Sequence, residues 1–233
     1  MTQPFWVHDR ALSARWIRQL RRNVFECRRM GHGGGYWYPM GEAPQTFFEQ
    51  VVMRLMALAR PEADCAGAEY WMRIQPTDSG FPFHFDRDEA VRGEIVSPSW
   101  SSVLYLTDCG GRTIVMSATP STVPVPLQCV AVTPKRGRYF VFRGDLLHGA
   151  IPAVPRPHPR IAFFVNWWTR KPKSASRDAA LAMQRLSPRH VRMDLQPAGV
   201  EALDALEQWP LENIVGPRGW ASFHSRILEG ALR

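Results

Sequence analysis

His84 and Asp86, inside the run FPFHFD at 81–86, are the residues whose types and spacing most directly suggest chemistry. On a strand, positions i and i+2 point to one face about 7 Å apart along the chain, so an imidazole and a carboxylate can turn toward one point. A third donor must come from elsewhere, and His148 in DLLHGAIP is the best placed, because it follows the strand-like run GRYFVF. Two imidazoles and one carboxylate on one face of a metal leave the opposite face open, which suits non-haem Fe(II) and its oxygen chemistry. H-x-D alone is a weak pattern that recurs by chance, so the weight falls on the elements around it.

Those elements change period along the chain. Residues 9–30 place Leu12, Trp16, Leu20 and Val24 at i+4 spacing among arginines, which predicts an amphipathic helix lying on a sheet. The glycine cluster GHGGGYWYP follows, with His32 read as a loop residue. A second helix is expected from near Pro44, with Phe47, Val51, Leu55 and Leu58 on one side and an end before Pro61.

From about residue 68 the pattern becomes strand-like. AEYWMRIQP alternates Trp71, Arg73 and Gln75 against Tyr70, Met72 and Ile74, and either set could be the inward one. FPFHFD, SSVLYLTD, RTIVMS, QCVAVTP, GRYFVFRG and RIAFFVNWW continue the series, with RDEAVRGEIVSPSW as a rim loop. Gly110 and Gly111 fit a tight reversal between two of these strands. About eight short strands broken by Pro or Gly suit a jelly-roll sandwich or barrel. After Trp168, SASRDAALAMQRL and GVEALDALEQW predict short helices. The expected fold class is mainly β with flanking helices (α+β). One domain over 1–233 is expected, with helical support over 1–66, a catalytic core over 67–170 and a helical extension over 171–233.

Composition is compatible with this picture. The chain has 233 residues, 45% of them hydrophobic, enough to bury a full core. Twenty prolines and seventeen glycines favour many short elements joined by turns. A net charge of +8, much of it arginine at 10–29 and 156–192, attracts anions without choosing among nucleic acid, membranes and small molecules. Cys27, Cys65, Cys109 and Cys129 have no C-x-x-C spacing, so free thiols in a reducing compartment are expected. No apolar run approaches roughly 18 residues, and the N-terminus has no signal-like pattern, so a soluble cytoplasmic protein with no membrane association is expected.

The ordered series of H-x-D, a β meander with a Gly-Gly turn, the late HGAIP and an arginine opening the final strand resembles the Fe(II)/2-oxoglutarate-dependent dioxygenase superfamily over about residues 68–170. The resemblance implies a double-stranded β-helix core of the jelly-roll, cupin-like type. It implies that His84, Asp86 and His148 hold iron, and that Arg160, twelve residues after His148, pairs with the distal carboxylate of 2-oxoglutarate. Many relatives place a serine two residues after this arginine. Here the position is Ala162, so a second anchor must come from another strand, and Tyr105 or Thr113 could supply a hydroxyl. Alternation from Arg160 puts Asn166 on the cavity face as well. The implied cofactors are Fe(II), 2-oxoglutarate and O2, with ascorbate as a stimulant. The implied reaction is hydroxylation of an unactivated C–H bond with succinate and CO2 as coproducts. Asp86 argues against halogenation, for which the carboxylate ligand is given up.

Trp71, Arg73, Trp100, Arg112 and Trp167 are candidates to line the mouth and receive an amino acid, a peptide or another carboxylate-bearing small molecule. Asp88 and Glu89 either hold a substrate amine or pair with Arg87 and Arg92. His8, His158, His190 and His224 read as structural or exposed. Three alternatives stay open or weaken. A protein or peptidyl-prolyl hydroxylase of the same superfamily stays open, as does a metal-binding cupin-like module without turnover. Repair of alkylated nucleic acid is disfavoured, because its second arginine six residues after the first is here Asn166. Oligomeric state is not readable from the chain.

Overall fold

The computed structural model describes residues 4–29, 35–121, 128–182, 199–215 and 219–232. His32 and His190 therefore lie outside the described residues, as does the end of the helix expected over SASRDAALAMQRL.

Among the described residues, twelve strands form two antiparallel sheets. They are β1 Phe5–Asp9, β2 Tyr36–Pro39, β3 Gly67–Gln75, β4 Phe81–His84, β5 Trp100–Tyr105, β6 Thr113–Met116, β7 Cys129–Val132, β8 Tyr139–Arg143, β9 His148–Ala150, β10 Arg160–Trp168, β11 Val200–Glu201 and β12 Glu207–Gln208. The larger sheet has the order β11-β1-β8-β5-β10-β3-β2, and the smaller one β12-β7-β6-β9-β4. From β3 to β10 the chain passes back and forth between the facing sheets, staying within the smaller one only from β6 to β7, which makes a double-stranded β-helix in agreement with the expected fold class. Among the described residues, no helix is long and apolar enough to cross a membrane.

Alternation along the strands sorts the core into layers. Phe5, Val7, Val103, Val115, Val130, Phe140 and Phe142 pack between the sheets. Helix α1 (Ala14–Arg29) and helix α2 (Phe47–Ala59) cover the outer face of the larger sheet. Trp16, Leu20 and Val24 lie in the buried stripe of α1, as the i+4 spacing predicts, joined by Ile17 and Cys27; Leu12 is also buried but precedes the helix, which starts at Ala14 rather than at residue 9. Tyr70, Met72 and Ile74 join that outer layer, which makes Trp71, Arg73 and Gln75 the inward set of β3. After the short helices α3 (Arg177–Ala182) and α4 (Glu212–Val215), helix α5 (Gly219–Leu232) covers the smaller sheet's outer face, where Ile114, Met116 and Ala131 pack against its Trp220, Phe223 and Ile227.

Helix α2 begins at Phe47, later than the expected start near Pro44, because a reciprocal cap sets it. Thr46 Oγ1 accepts from Glu49 N at 3.1 Å, and Glu49 Oε2 accepts from Thr46 N at 3.2 Å. Its end before Pro61 is as expected, with Arg60 in the left-handed region at φ 49°.

Three expectations are corrected. β1 and β2 were not visible as strands: β1 is short and sits between β8 and β11, and β2 extends the sheet edge beyond β3. GVEALDALEQW is not a helix. His8↔Glu201 and Glu207↔Ala131 pairings draw its ends onto the two sheets, around a 3-10 turn at Leu203–Ala205, so sheet pairing overrides a helix-compatible composition. Gly110-Gly111 is not a hairpin reversal, since β5 and β6 belong to different sheets. It is the crossing between them. Gly110 has φ 101°, and a Cβ there would lie 2.6 Å from Arg160 Cδ; a Cβ on Gly111 would lie 1.7 Å from Ile151 O. The crossing is glycine because the Ile151–Pro152 backbone and the Arg160 stem leave no room for a side chain.

Candidate active site

β4 and β9 pair at the edge of the smaller sheet, with His84 directly opposite His148 and a bulge between that pair and Phe81↔Ala150. The two rings lie 4.3 Å apart between centroids. Each imidazole is oriented from behind: His84 Nδ1 lies 2.9 Å from Pro82 O, and His148 Nδ1 lies 2.9 Å from Leu146 O. Donation from Nδ1–H to those carbonyls leaves both Nε2 lone pairs facing forward, the tautomer a metal ligand requires.

Asp86 completes the group, by a route other than the expected one. β4 stops at His84, so Asp86 is beyond the strand and its direction is not set by strand alternation. Ser101 of β5, on the opposite sheet, donates to Asp86 Oδ2 at 2.6 Å and fixes the carboxylate instead. Asp86 Oδ1 is 3.5 Å from His84 Nε2, and Oδ2 is 3.6 Å from His148 Nε2. One donor atom from each of the three residues lies within 4.8 Å of the others. Two forward-facing imidazole nitrogens and a carboxylate on one side of a cavity fit a divalent metal with open positions.

The electrostatics agree with the geometry. Burial alone would raise the Asp86 pKa, but the charge of His148, the bond and charge of His84 and the Ser101 hydroxyl outweigh it and hold the carboxyl far below the usual range. Burial lowers His84, yet the bond to Asp86 carries it above its ordinary value. His148 is fully enclosed, and desolvation wins over Asp86, taking it down to about 4. At ordinary pH the His148 imidazole is therefore neutral, the form in which its Nε2 can act as a donor.

From this group a cavity runs between the sheets to Arg160, lined on the way by Trp71, Arg73, Phe81, Phe142 and Phe164. Arg160 is buried, and Gly110 packs against its stem. Its Nη2 donates to Thr113 Oγ1 at 2.9 Å, and Tyr105 Oη donates to the same oxygen at 2.7 Å. Among the described residues, no carboxylate pairs with Arg160, and its Nε has no partner. Desolvation accordingly lowers the guanidinium from its ordinary value. With two bonds accepted, the Thr113 hydroxyl proton is left to donate into the cavity. Thr113 is thus the hydroxyl that can stand beside Arg160 where Ala162 offers none, and Tyr105 holds it from behind.

The remaining expected site residues divide. Trp71 and Arg73 line the cavity; Trp71 stacks on Phe164 at 5.3 Å and 8°, and the Arg73 guanidinium lies 4.1 Å over the Phe81 ring. Trp100 does not. Alternation sends it outward with Leu104, where its Nε1 donates to Glu62 Oε1 at 2.8 Å and its ring meets Trp6. Trp167 is likewise a fully buried member of the helix-facing layer. Arg112 pairs with Glu207 at 3.0 Å over the Trp209 ring, fastening β12 to the smaller sheet. Asn166 is buried on the inner face, in register with Ser101 and Glu69, but is not among the residues lining the cavity.

Asp88 does not hold out a carboxylate for an amine. It is buried and accepts from Lys173 N, Ser174 N and Ala90 N at 2.7, 3.1 and 3.2 Å, tying the rim loop to the segment after β10. Glu89 pairs with Arg87 at 3.1 Å. His8 is a buried residue of β1, and His224 is a buried residue of α5 whose Nε2 lies 3.2 Å from Thr119 O.

Ser101 and Glu69 were missed. Ser101 gave no signal in sequence, since its role depends on Asp86 arriving from the other sheet. Glu69 had one: it shares the β3 face of Trp71 and Arg73, so the same alternation puts a carboxylate indoors. Burial first, then the charge of Asp86, pushes Glu69 up to about 7. Because the folded value is raised from 4.5, the folded state holds the proton more tightly. Stability is full below about pH 4.5 and is lost as pH rises through about 7. Glu69→Gln is therefore expected to stabilise the metal-free protein by about 3 kcal/mol near pH 8, and to change little near pH 4. Urea melts at the two pH values check this; equal stability of variant and parent near pH 8 would show that ionised Glu69 carries no burden.

No family model matches the chain, and no curated protein matches it. Among solved structures it is similar to a Pseudomonas putida prolyl-4-hydroxylase, at 22% identity over 73% of this chain and 87% of that one, with a TM-score of 0.47. It is also similar to HygX from Streptomyces hygroscopicus with nickel and 2-oxoglutarate bound, at 15% identity over 72% and 84%, TM-score 0.48. A third is SnoK, an α-ketoglutarate-dependent carbocyclase from nogalamycin biosynthesis, at 15% identity over 80% and 87%, TM-score 0.48. These are distant likenesses, and no residue role in this chain follows from them.

Proposed function

We propose that the chain is an Fe(II)- and 2-oxoglutarate-dependent dioxygenase that hydroxylates a C–H bond of a small, carboxylate-bearing molecule. The observation that carries this reading is the pairing of ends in one cavity: a buried guanidinium with no carboxylate at one end, and a two-histidine, one-carboxylate face at the other. A buried charge without a partner is costly, so Arg160 calls for an anion, and a planar guanidinium grips a carboxylate through two bonds. 2-Oxoglutarate supplies that carboxylate together with a keto-acid end for the metal.

His84, Asp86 and His148 would hold the iron, which with the cosubstrate and O2 supplies the oxidising power. The chain's own residues place and shield the reactants. Arg160 and the Thr113 hydroxyl bind the distal carboxylate, Ser101 keeps Asp86 aimed, and Phe142 and Phe164 exclude water from the cavity. Arg73 supports the substrate class. With a divalent metal, Asp86, a doubly charged cosubstrate and Arg160, the formal charges sum to zero, so Arg73 is left as a cation beside the Trp71–Phe164 stack. A carboxylate on the substrate balances it.

The test is anaerobic visible absorption as Fe(II) and then 2-oxoglutarate are added to the purified protein, with His84→Ala and Arg160→Ala in parallel. A charge-transfer band that needs both additions, is lost in the histidine variant and demands more cosubstrate in the arginine variant is the expected result. A folded, iron-loaded protein with no band would refute the cosubstrate assignment.

A further inference from the structure

We propose that the chain carries a second ligand site, an arginine-lined cleft at the start of α1 that takes a small polyphosphorylated anion. This cleft shares no lining residue with the cavity between the sheets. It has a volume of about 410 Å³, and Arg10, Arg18, Arg21 and Arg136 line it over an apolar floor that includes Leu12 and Ile17. That is room for a small molecule.

The fold brings the four cations together. Arg18 and Arg21 stand three apart on α1 and so share one side of the helix. Arg10 and Arg136 come from separate loops that Ala11 N fastens by donating to Gly137 O at 2.8 Å. Among the described residues, no acidic side chain lines the cleft. Nearby carboxylates are engaged elsewhere: Asp9 accepts from Lys135 at 2.6 Å and from Arg138 Nε at 2.7 Å, and Asp108 accepts from the Arg136 backbone N at 2.7 Å. Among the described residues none of the four guanidiniums forms an ion pair. The Arg21 Nε is enclosed and has no acceptor. The first turn of α1 has no acidic residue either, so the positive end of the helix dipole adds to the same field.

Four like charges held around one concavity repel one another, and a bound anion with several negative charges removes that repulsion. Guanidinium forks match phosphate oxygens two at a time, which favours phosphate over a scattered set of chloride ions. Single-stranded nucleic acid is a poorer fit, because its binding sites stack bases on aromatic side chains and, among the described residues, none lines this cleft. The occupant is therefore a compact molecule bearing two or more phosphate charges.

Calorimetric titration of the full-length protein with inorganic tripolyphosphate at physiological ionic strength tests this. One equivalent is expected to bind. Arg21→Gln combined with Arg136→Gln is expected to weaken binding at least about tenfold, the scale of losing a close charge pair. Arg226→Gln removes one charge from α5 and is expected to leave binding unchanged, and the iron and 2-oxoglutarate absorption band is expected to persist in every variant. The site falls if tripolyphosphate fails to bind, or if Arg226→Gln weakens binding as much as the cleft variants, which would reveal diffuse attraction to a basic surface. It also falls as a small-molecule site if short poly-U RNA or phosphatidylserine vesicles bind more tightly than tripolyphosphate and lose binding in the same cleft variants.

Discussion

Arg160→Met is expected to weaken 2-oxoglutarate binding by about 2–5 kcal/mol, on the order of 30- to 5,000-fold, while leaving the ligand-free protein as stable as the parent or more so. The two effects have opposite signs for one reason. Without cosubstrate, the guanidinium is a buried cation that meets the Thr113 and Tyr105 hydroxyls but, among the described residues, no carboxylate, and burial already lowers its pKa. Replacing it by an apolar side chain of similar length removes that desolvation. With cosubstrate, the same replacement strands a carboxylate in a cavity with nothing opposite but a hydroxyl. Thermal melts with and without 2-oxoglutarate separate the cases: the parent gains stability with ligand by mass action, and the variant starts level or higher but gains little. If the variant instead unfolds more readily with no ligand present, Arg160 is a structural strut and its claim on the cosubstrate fails.

Asp86→Asn is expected to lower metal affinity by more than about 100-fold, since losing even an outer partner of a ligand costs about 10–100-fold. The amide keeps the shape and can still meet Ser101, so the fold should survive while the anionic donor is gone. Its pH behaviour supplies an independent readout. The Asp86 carboxyl is depressed in the folded state, so its contribution to metal-free stability is present above the ordinary carboxylate pKa and is lost as pH falls through the lower folded value. The parent should therefore lose more stability on acidification than the asparagine variant, since Asp9 and Asp88, also depressed, contribute to both proteins. Anaerobic calorimetry with Co(II), and acid titrations of both proteins followed by circular dichroism, check the two halves. Unchanged Co(II) affinity would remove Asp86 from the metal group.

The helical and strand periods of this chain are local properties, and most of the scaffold follows from them. The stripe of α1 from Trp16 to Val24, the alternation of β3 and the strands from SSVLYLTD to RIAFFVNWW match the sequence reading, whereas the FPFHFD strand stops at His84. The same alternation contained more than was taken from it. Trp167 and Trp100 stand at positions that oppose the inward residues Asn166 and Ser101, so their burial against the helices was implied by parity, and Glu69 was implied on the cavity face. β11 and β12 had no such signal. Each is two residues long, and only partners distant in sequence make it a strand.

The candidate site shows where the division falls. By itself the sequence determined the chemical types present, namely two histidines, a carboxylate and an arginine on strand-like segments in a fixed order, because side-chain chemistry and short-range period need no partner. Only the tertiary structure decided which of them meet. His84 faces His148 because β4 and β9 pair; Asp86 is aimed by Ser101 from the other sheet; Arg160 finds Thr113 because the sheets face each other. Arg112, with the same chemistry as Arg160, is spent on Glu207 at the surface. Proximity across sheets depends on pairing and closure, which bring together residues far apart in the chain, and no local pattern encodes that.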